Sequence, residues 1–140
     1  MKYPLSRIVG CALLALFLGG CGRSSNVKTY PVTGVVTFKG ELLPNAVVSF
    51  FPAGGRPASG MTNAQGEFSL STFKAGDGAM PGMHSVTVSE PAAEMKEGDY
   101  SVPEPKPPRF PVKYTDPRQS ELKFEVKPGE ENKFAIDLKE

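Results

Sequence analysis

A single histidine, His84, and two cysteines, Cys11 and Cys21, are the residues in this 140-residue chain whose types could extend its chemistry beyond carboxylates and hydroxyls. Zinc and iron–sulfur sites draw on about four His or Cys ligands, which excludes both on count. A Ser-His-Asp arrangement would have to be built on His84 alone. An inward histidine on a strand needs only one hydrogen bond to be satisfied, so no catalytic residue, metal or cofactor is expected. Three aromatics outside the strand pattern, Tyr100, Phe110 and Tyr114, are candidates for a binding loop. Sixteen Lys and Arg against fifteen Asp and Glu, with no basic block, give no electrostatic footprint for nucleic acid.

Around the cysteines the sequence is more specific. Lys2 and Arg7 lead into an apolar run at 8–18, the length of a secretory h-region and short of the roughly 20 residues of a membrane-spanning helix. The run ends in Leu18-Gly19-Gly20-Cys21, which resembles the lipobox of bacterial lipoproteins. The resemblance implies removal of residues 1–20 by cleavage between Gly20 and Cys21, with diacylglycerol on the Cys21 thiol and acylation of the new amine. Cysteine arithmetic agrees: Cys11 leaves with the signal, so Cys21 keeps no disulfide partner. Several acyl chains on one residue would anchor durably without crossing the membrane. Gly22 follows the cysteine where an aspartate would retain the protein at the inner membrane, which by resemblance to the enterobacterial sorting rule favours the outer membrane. Residues 21–29 read as a polar tether with a reach of about 30 Å. Loss of Lys2 and Arg7 leaves 14 basic against 15 acidic residues in the mature chain.

The elements that must position any site lie at 30–140, where apolar residues recur with period two, as on strands half-buried in a sheet. Val32, Gly34, Val36 and Phe38 share one face, followed by a turn at Lys39-Gly40-Glu41. Ala46, Val48 and Phe50 point inward on a second strand, and a short third runs around 58–62. Asn63-Ala64-Gln65-Gly66 is a turn into a fourth strand with Phe68 and Leu70 inward. His84, Val86 and Val88 mark a fifth. Leu122, Phe124 and Val126, then Phe134, Ile136 and Leu138, mark a sixth and seventh, which Pro128-Gly129-Glu130-Glu131 would join as a hairpin. Seven short strands with 15 Gly, 14 Pro and no Trp predict an all-β fold, a seven-stranded antiparallel Greek-key sandwich.

Four segments in order carry a further resemblance: Val32-Thr33-Gly34-Val35-Val36, Pro44-Asn45-Ala46-Val47-Val48-Ser49-Phe50, Thr62-Asn63-Ala64-Gln65-Gly66-Glu67-Phe68, and Pro81-Gly82-Met83-His84-Ser85-Val86-Thr87-Val88. Together they resemble the carboxypeptidase regulatory-like domain, a transthyretin-like (prealbumin-like) sandwich of secreted and surface proteins, over about 31–90. His84 stands where that family usually has an aromatic, and Asn63 where it often has aspartate. The resemblance implies a non-catalytic binding or scaffold module and little chemistry. Hydroxyisourate hydrolases of similar fold end in Tyr-Arg-Gly-Ser, and intradiol dioxygenases bind iron through paired tyrosines and histidines; this chain ends Ile136-Asp137-Leu138-Lys139-Glu140 and has one histidine. An isopeptide bond from Lys39 or Lys28 to Asn132 can be drawn on the sequence, although exposed strand-end charges explain the same residues.

The functional expectation is a lipid-anchored cell-envelope protein whose sandwich contacts other surface components, an envelope protein or a glycan, through its loops. The alternatives are a carbohydrate-binding module using Tyr100, Phe110 and Tyr114, and a small enzyme built on His84. The segment 91–109, with Pro91, Pro103, Pro105, Pro107 and Pro108 among seven charges, is too long for an ordinary hairpin connection.

Overall fold

The computed structural model describes residues 27–94, 97–98, 101–102, 104 and 106–140, so the expected cleavage site and Cys21 lie outside the described residues. The strands run β1 Val32–Phe38, β2 Glu41–Leu42, β3 Val47–Pro52, β4 Ala58–Met61, β5 Glu67–Ser69, β6 Gly82–Ser89, β7 Lys123–Val126 and β8 Asn132–Leu138. A single 3₁₀ turn at Val112–Thr115 is the sole described helical element. Two sheets result. In the first, β2 and β5 pair with one edge of β1 and β8 with the other; the second has the order β4-β3-β6-β7.

The period-two reading places the inner faces as expected. Val32, Val36, Ala46, Val48, Phe50, Phe68, Leu70, Val86, Val88, Val126, Ile136 and Leu138 all join one buried core between the sheets. Phe50 is its hub, with ring centroids of Phe68, Phe124 and Phe134 at 6.4, 6.1 and 5.9 Å and that of His84 at 5.7 Å. Those five rings come from β3, β5, β6, β7 and β8, so the cluster ties both sheets together. Gly34 is required opposite it: a Cβ there would strike the Phe134 carbonyl oxygen and the Phe68 ring.

Three expectations need correction. An eighth strand, β2, exists because Lys39 (φ 52°) and Gly40 (φ 80°) both take the left-handed region, which makes the tight two-residue turn that folds Glu41 and Leu42 back on β1. Strands β7 and β8 are not a hairpin, since β7 pairs with β6 in one sheet and β8 with β1 in the other. Alternation fixes which side chains face inward, and both strands satisfy it from opposite sheets. The Asn132 carboxamide holds this crossing: its Oδ1 accepts from Lys127 N at 2.8 Å, and its Nδ2 donates to the carbonyls of Lys127 and Glu130 at 3.0 and 3.2 Å. Third, the β1–β8 pair is parallel, from Val32↔Asn132 to Phe38↔Leu138, in an otherwise antiparallel arrangement.

The registers give the sandwich two distinct ends. Tyr30, bridged to Ala79, delivers the chain into the start of β1. The connections 53–57, 70–81 and 127–131 lie at this same end, because Phe50 pairs with Ala58, Gly82 with Val126, and Val32 with Asn132. At the opposite end lie the 39–40 turn, the 43–46 and 62–66 connections, the close of β6 at Ser89 and the carboxyl terminus.

Candidate functional site

His84 is inside the core. It is 1% exposed, and its Nε2 donates to the Met80 carbonyl oxygen at 2.8 Å. That donation places the proton on Nε2 and leaves Nδ1 buried with no hydrogen-bond partner. The ring stands against Phe50, and among the described residues its one hydrogen bond is that to Met80. It lies on the inner face of β6 among aromatic rings, with one of its two ring nitrogens hydrogen-bonded and the other unpartnered.

The loop aromatics divide. Tyr100 lies outside the described residues. Phe110 and Tyr114 are 3% and 6% exposed and belong to the core. The Tyr114 Oη accepts the backbone N–H of Lys139 at 3.0 Å, which ties the 110–122 segment to the end of β8. A sugar-stacking platform needs exposed ring faces, and these two rings are packed instead. Nor do Lys39 and Asn132, one of the isopeptide pairs, meet. Lys39 and Asn132 stand at opposite ends of the parallel β1–β8 pair, roughly 20 Å apart at 3.3 Å per residue. Lys39 pairs with Glu140, and the Asn132 amide is spent on the 127–130 backbone.

What the structure builds with most polar contacts is the base of the long 91–109 segment. Arg109 presents its fork to Glu90: Nε donates to Oε1 and Nη2 to Oε2, each at 2.9 Å, while the Arg109 backbone N–H also reaches Oε1 at 3.0 Å. The same guanidinium donates through Nη1 to the Pro44 carbonyl at 3.0 Å and through Nη2 to that of Asn45 at 3.1 Å. These carbonyls are presented by a strained corner in which Asn45 takes φ 53°, a conformation asparagine tolerates better than most residues. Buried Thr62 braces the corner, accepting from Ala46 N at 2.8 Å and donating to Leu43 O at 2.7 Å. Both ends of the 91–108 loop are thereby fixed at one point, at the end of the sandwich away from Tyr30. The described residues 92–94, 97–98, 101–102, 104 and 106–107 are exposed, Val102 at 89%.

Hydrogen bonding by Arg109 holds the Glu90 carboxyl below the usual carboxylate range, against a desolvation that would raise it. A lowered folded value means that the link stabilises fully above the ordinary titration range of a glutamate and is lost as the pH falls through that lowered folded value. With the Arg109 side chain 44% exposed, solvent screening limits the link to about 1 kcal/mol or less. Glu90→Gln is expected to speed proteolysis within 91–108 at neutral pH by up to about fivefold, with little change in the global melting temperature. Limited digestion followed by mass spectrometry reads this directly.

At the amino-terminal end the 72–78 loop is self-supporting. Burial would raise the Asp77 carboxyl, but N–H groups of Thr72, Phe73 and Lys74, at 2.7, 3.0 and 3.0 Å, together bring it below its ordinary value. The loop leaves Phe73 half exposed beside the Arg56 guanidinium, 5.7 Å from the ring centroid. Asn63 fills its turn by accepting from the N–H groups of Gln65 and Glu67, each at 2.9 Å.

Sequence reasoning counted Arg109 among the loop charges but did not pair it with Glu90. Nineteen positions separate them and no local pattern links them. No protein-family model, curated protein or solved structure matches the chain.

Proposed function

We propose that this protein is a lipid-anchored component of the bacterial cell envelope, held through Cys21, whose sandwich is a non-catalytic binding or scaffold module of the carboxypeptidase regulatory-like, transthyretin-like kind. The reading includes removal of residues 1–20, a Greek-key course of the strands and residence at the outer membrane. The partner is another envelope component met by the 91–108 loop. One observation carries this reading: the Glu90–Arg109 clamp closes the base of that loop at the end of the sandwich opposite the segment that leads back to Cys21. A chain tethered at one end and presenting a fixed-base loop at the other is arranged to reach outward from a membrane.

The test is site-specific photocrosslinking in intact cells. A photoreactive residue at Val102, at the loop end, is expected to give a discrete adduct with an envelope component. The same residue at Gly54, at the amino-terminal end, is expected to give none. Identical adducts from both sites, or none from Val102, would overturn the proposal.

A further inference from the structure

Strand β8 is the longest edge in the structure and has no partner on its outer side among the described residues. The other edge strands are short, four residues in β4 and β7, three in β5 and two in β2, whereas β8 has seven. Short edges protect themselves from strand addition; a long regular one does not.

The direction of its unpaired groups follows from two bonds. Lys39 N–H donates to the Leu138 carbonyl, so even-numbered β8 residues turn their backbone groups to β1. Lys139 N–H is taken by Tyr114 Oη on the other side, so odd-numbered residues point away. Lys133, Ala135 and Asp137 therefore direct three N–H and three C=O groups off the edge, and all three residues are exposed. Tyr114 blocks the row at Lys139.

From this edge we infer that two copies of the chain associate through β8, antiparallel about a two-fold axis at Ala135. An antiparallel self-pair must bring outward-pointing residues opposite one another, which leaves few registers. Centring on Ala135 sets Lys133 against Asp137 of the second copy, twice by symmetry, and Glu131 against Lys139 of the second copy. Sliding by two residues one way sets Lys133 against Lys139 of the second copy; sliding the other way sets Glu131 against Asp137 of the second copy. Only the central register matches opposite charges throughout. It also exchanges six backbone hydrogen bonds and brings half-buried Phe134 opposite Ile136 of the second copy on the inner face. The Asp137 carboxylate accepts from the Thr37 hydroxyl at 3.2 Å, a solvent-exposed bond that the pairing need not break. An antiparallel pair sets the Tyr30 ends of the two copies at opposite ends of the dimer, so the pairing competes with both copies standing Tyr30 end down on one membrane and is read in detergent, where no bilayer orients the chains.

The test is sedimentation equilibrium of the full chain in density-matched detergent over a concentration series. The unaltered chain is expected to shift from monomer towards dimer mass. Lys133→Asp or Asp137→Lys alone places like charges in both symmetric pairs and is expected to weaken association roughly tenfold, whereas the two together restore it. Ala135→Pro removes an N–H that β1 does not use and is expected to abolish the dimer while circular dichroism shows an unchanged β spectrum. A chain that stays monomeric at every concentration would overturn the inference, as would a dimer indifferent to the charge reversals and to proline.

Discussion

Replacing Cys21 with serine is expected to leave full-length precursor in place of the mature chain and to abolish metabolic labelling with palmitate. The effect is all-or-none for a physical reason. Serine has no thiol for the thioether to diacylglycerol, and Cys21 is the sole cysteine beyond residue 20. Without acyl chains, each methylene of which contributes about 0.8 kcal/mol when buried, the precursor is held to the membrane only by its uncleaved 8–18 apolar run, shorter than the roughly 20 residues of a spanning helix. Fractionation therefore provides a second readout, with the unlipidated chain tested for extraction by salt or carbonate. Unchanged labelling in Cys21→Ser would remove the anchor from the account and leave the β8 pairing untouched.

The second large effect lies in the core. Phe50→Ala is expected to destabilise the domain by about 3–5 kcal/mol, because a fully buried ring is lost and a cavity is left behind. Phe50 touches rings from four other strands in both sheets, so its removal cannot be repaired by a shift of one neighbour. Against a typical total of about 5–15 kcal/mol the loss is severe, equivalent to a fall of about 10–20 °C in melting temperature. Thermal unfolding followed by circular dichroism measures it. A shift under about 3 °C would show that the aromatic cluster is not what joins the sheets.

Inner-face residues were legible from the sequence because strand burial has period two, and Val32, Val48, Phe50, Val86 and Ile136 could be assigned without knowing any pairing. Pairing itself was not legible. Phe124 and Phe134 lie 4.9 Å apart between ring centroids while their strands belong to different sheets, and alternation alone reads equally well as a hairpin. The same limit hid the candidate site. Glu90 and Arg109 meet across 19 positions and Tyr114 meets Lys139 across 25, contacts that depend on where the whole 110–122 segment lies. Tyr114 read as a loop aromatic because a tyrosine with one polar tip suits a surface as well as a core. The inward position of His84 was legible from the same alternation; that Met80 takes only Nε2 and leaves Nδ1 without a partner was not.

The central claim concerns orientation: the Tyr30 end faces the lipid and the Glu90–Arg109 end faces away. Spin labels on Gly54→Cys and Val102→Cys test it most directly in the mature chain at fewer than one copy per vesicle, too dilute for β8 pairing, where on this account Cys21 is acylated and leaves no competing thiol. Gly54 suits labelling because a Cβ there meets nothing within 4 Å. With a paramagnetic chelate carried on the lipid headgroups, the account predicts stronger relaxation of the label at position 54 than at position 102. Equal relaxation at the two sites, or the reverse order, would contradict it.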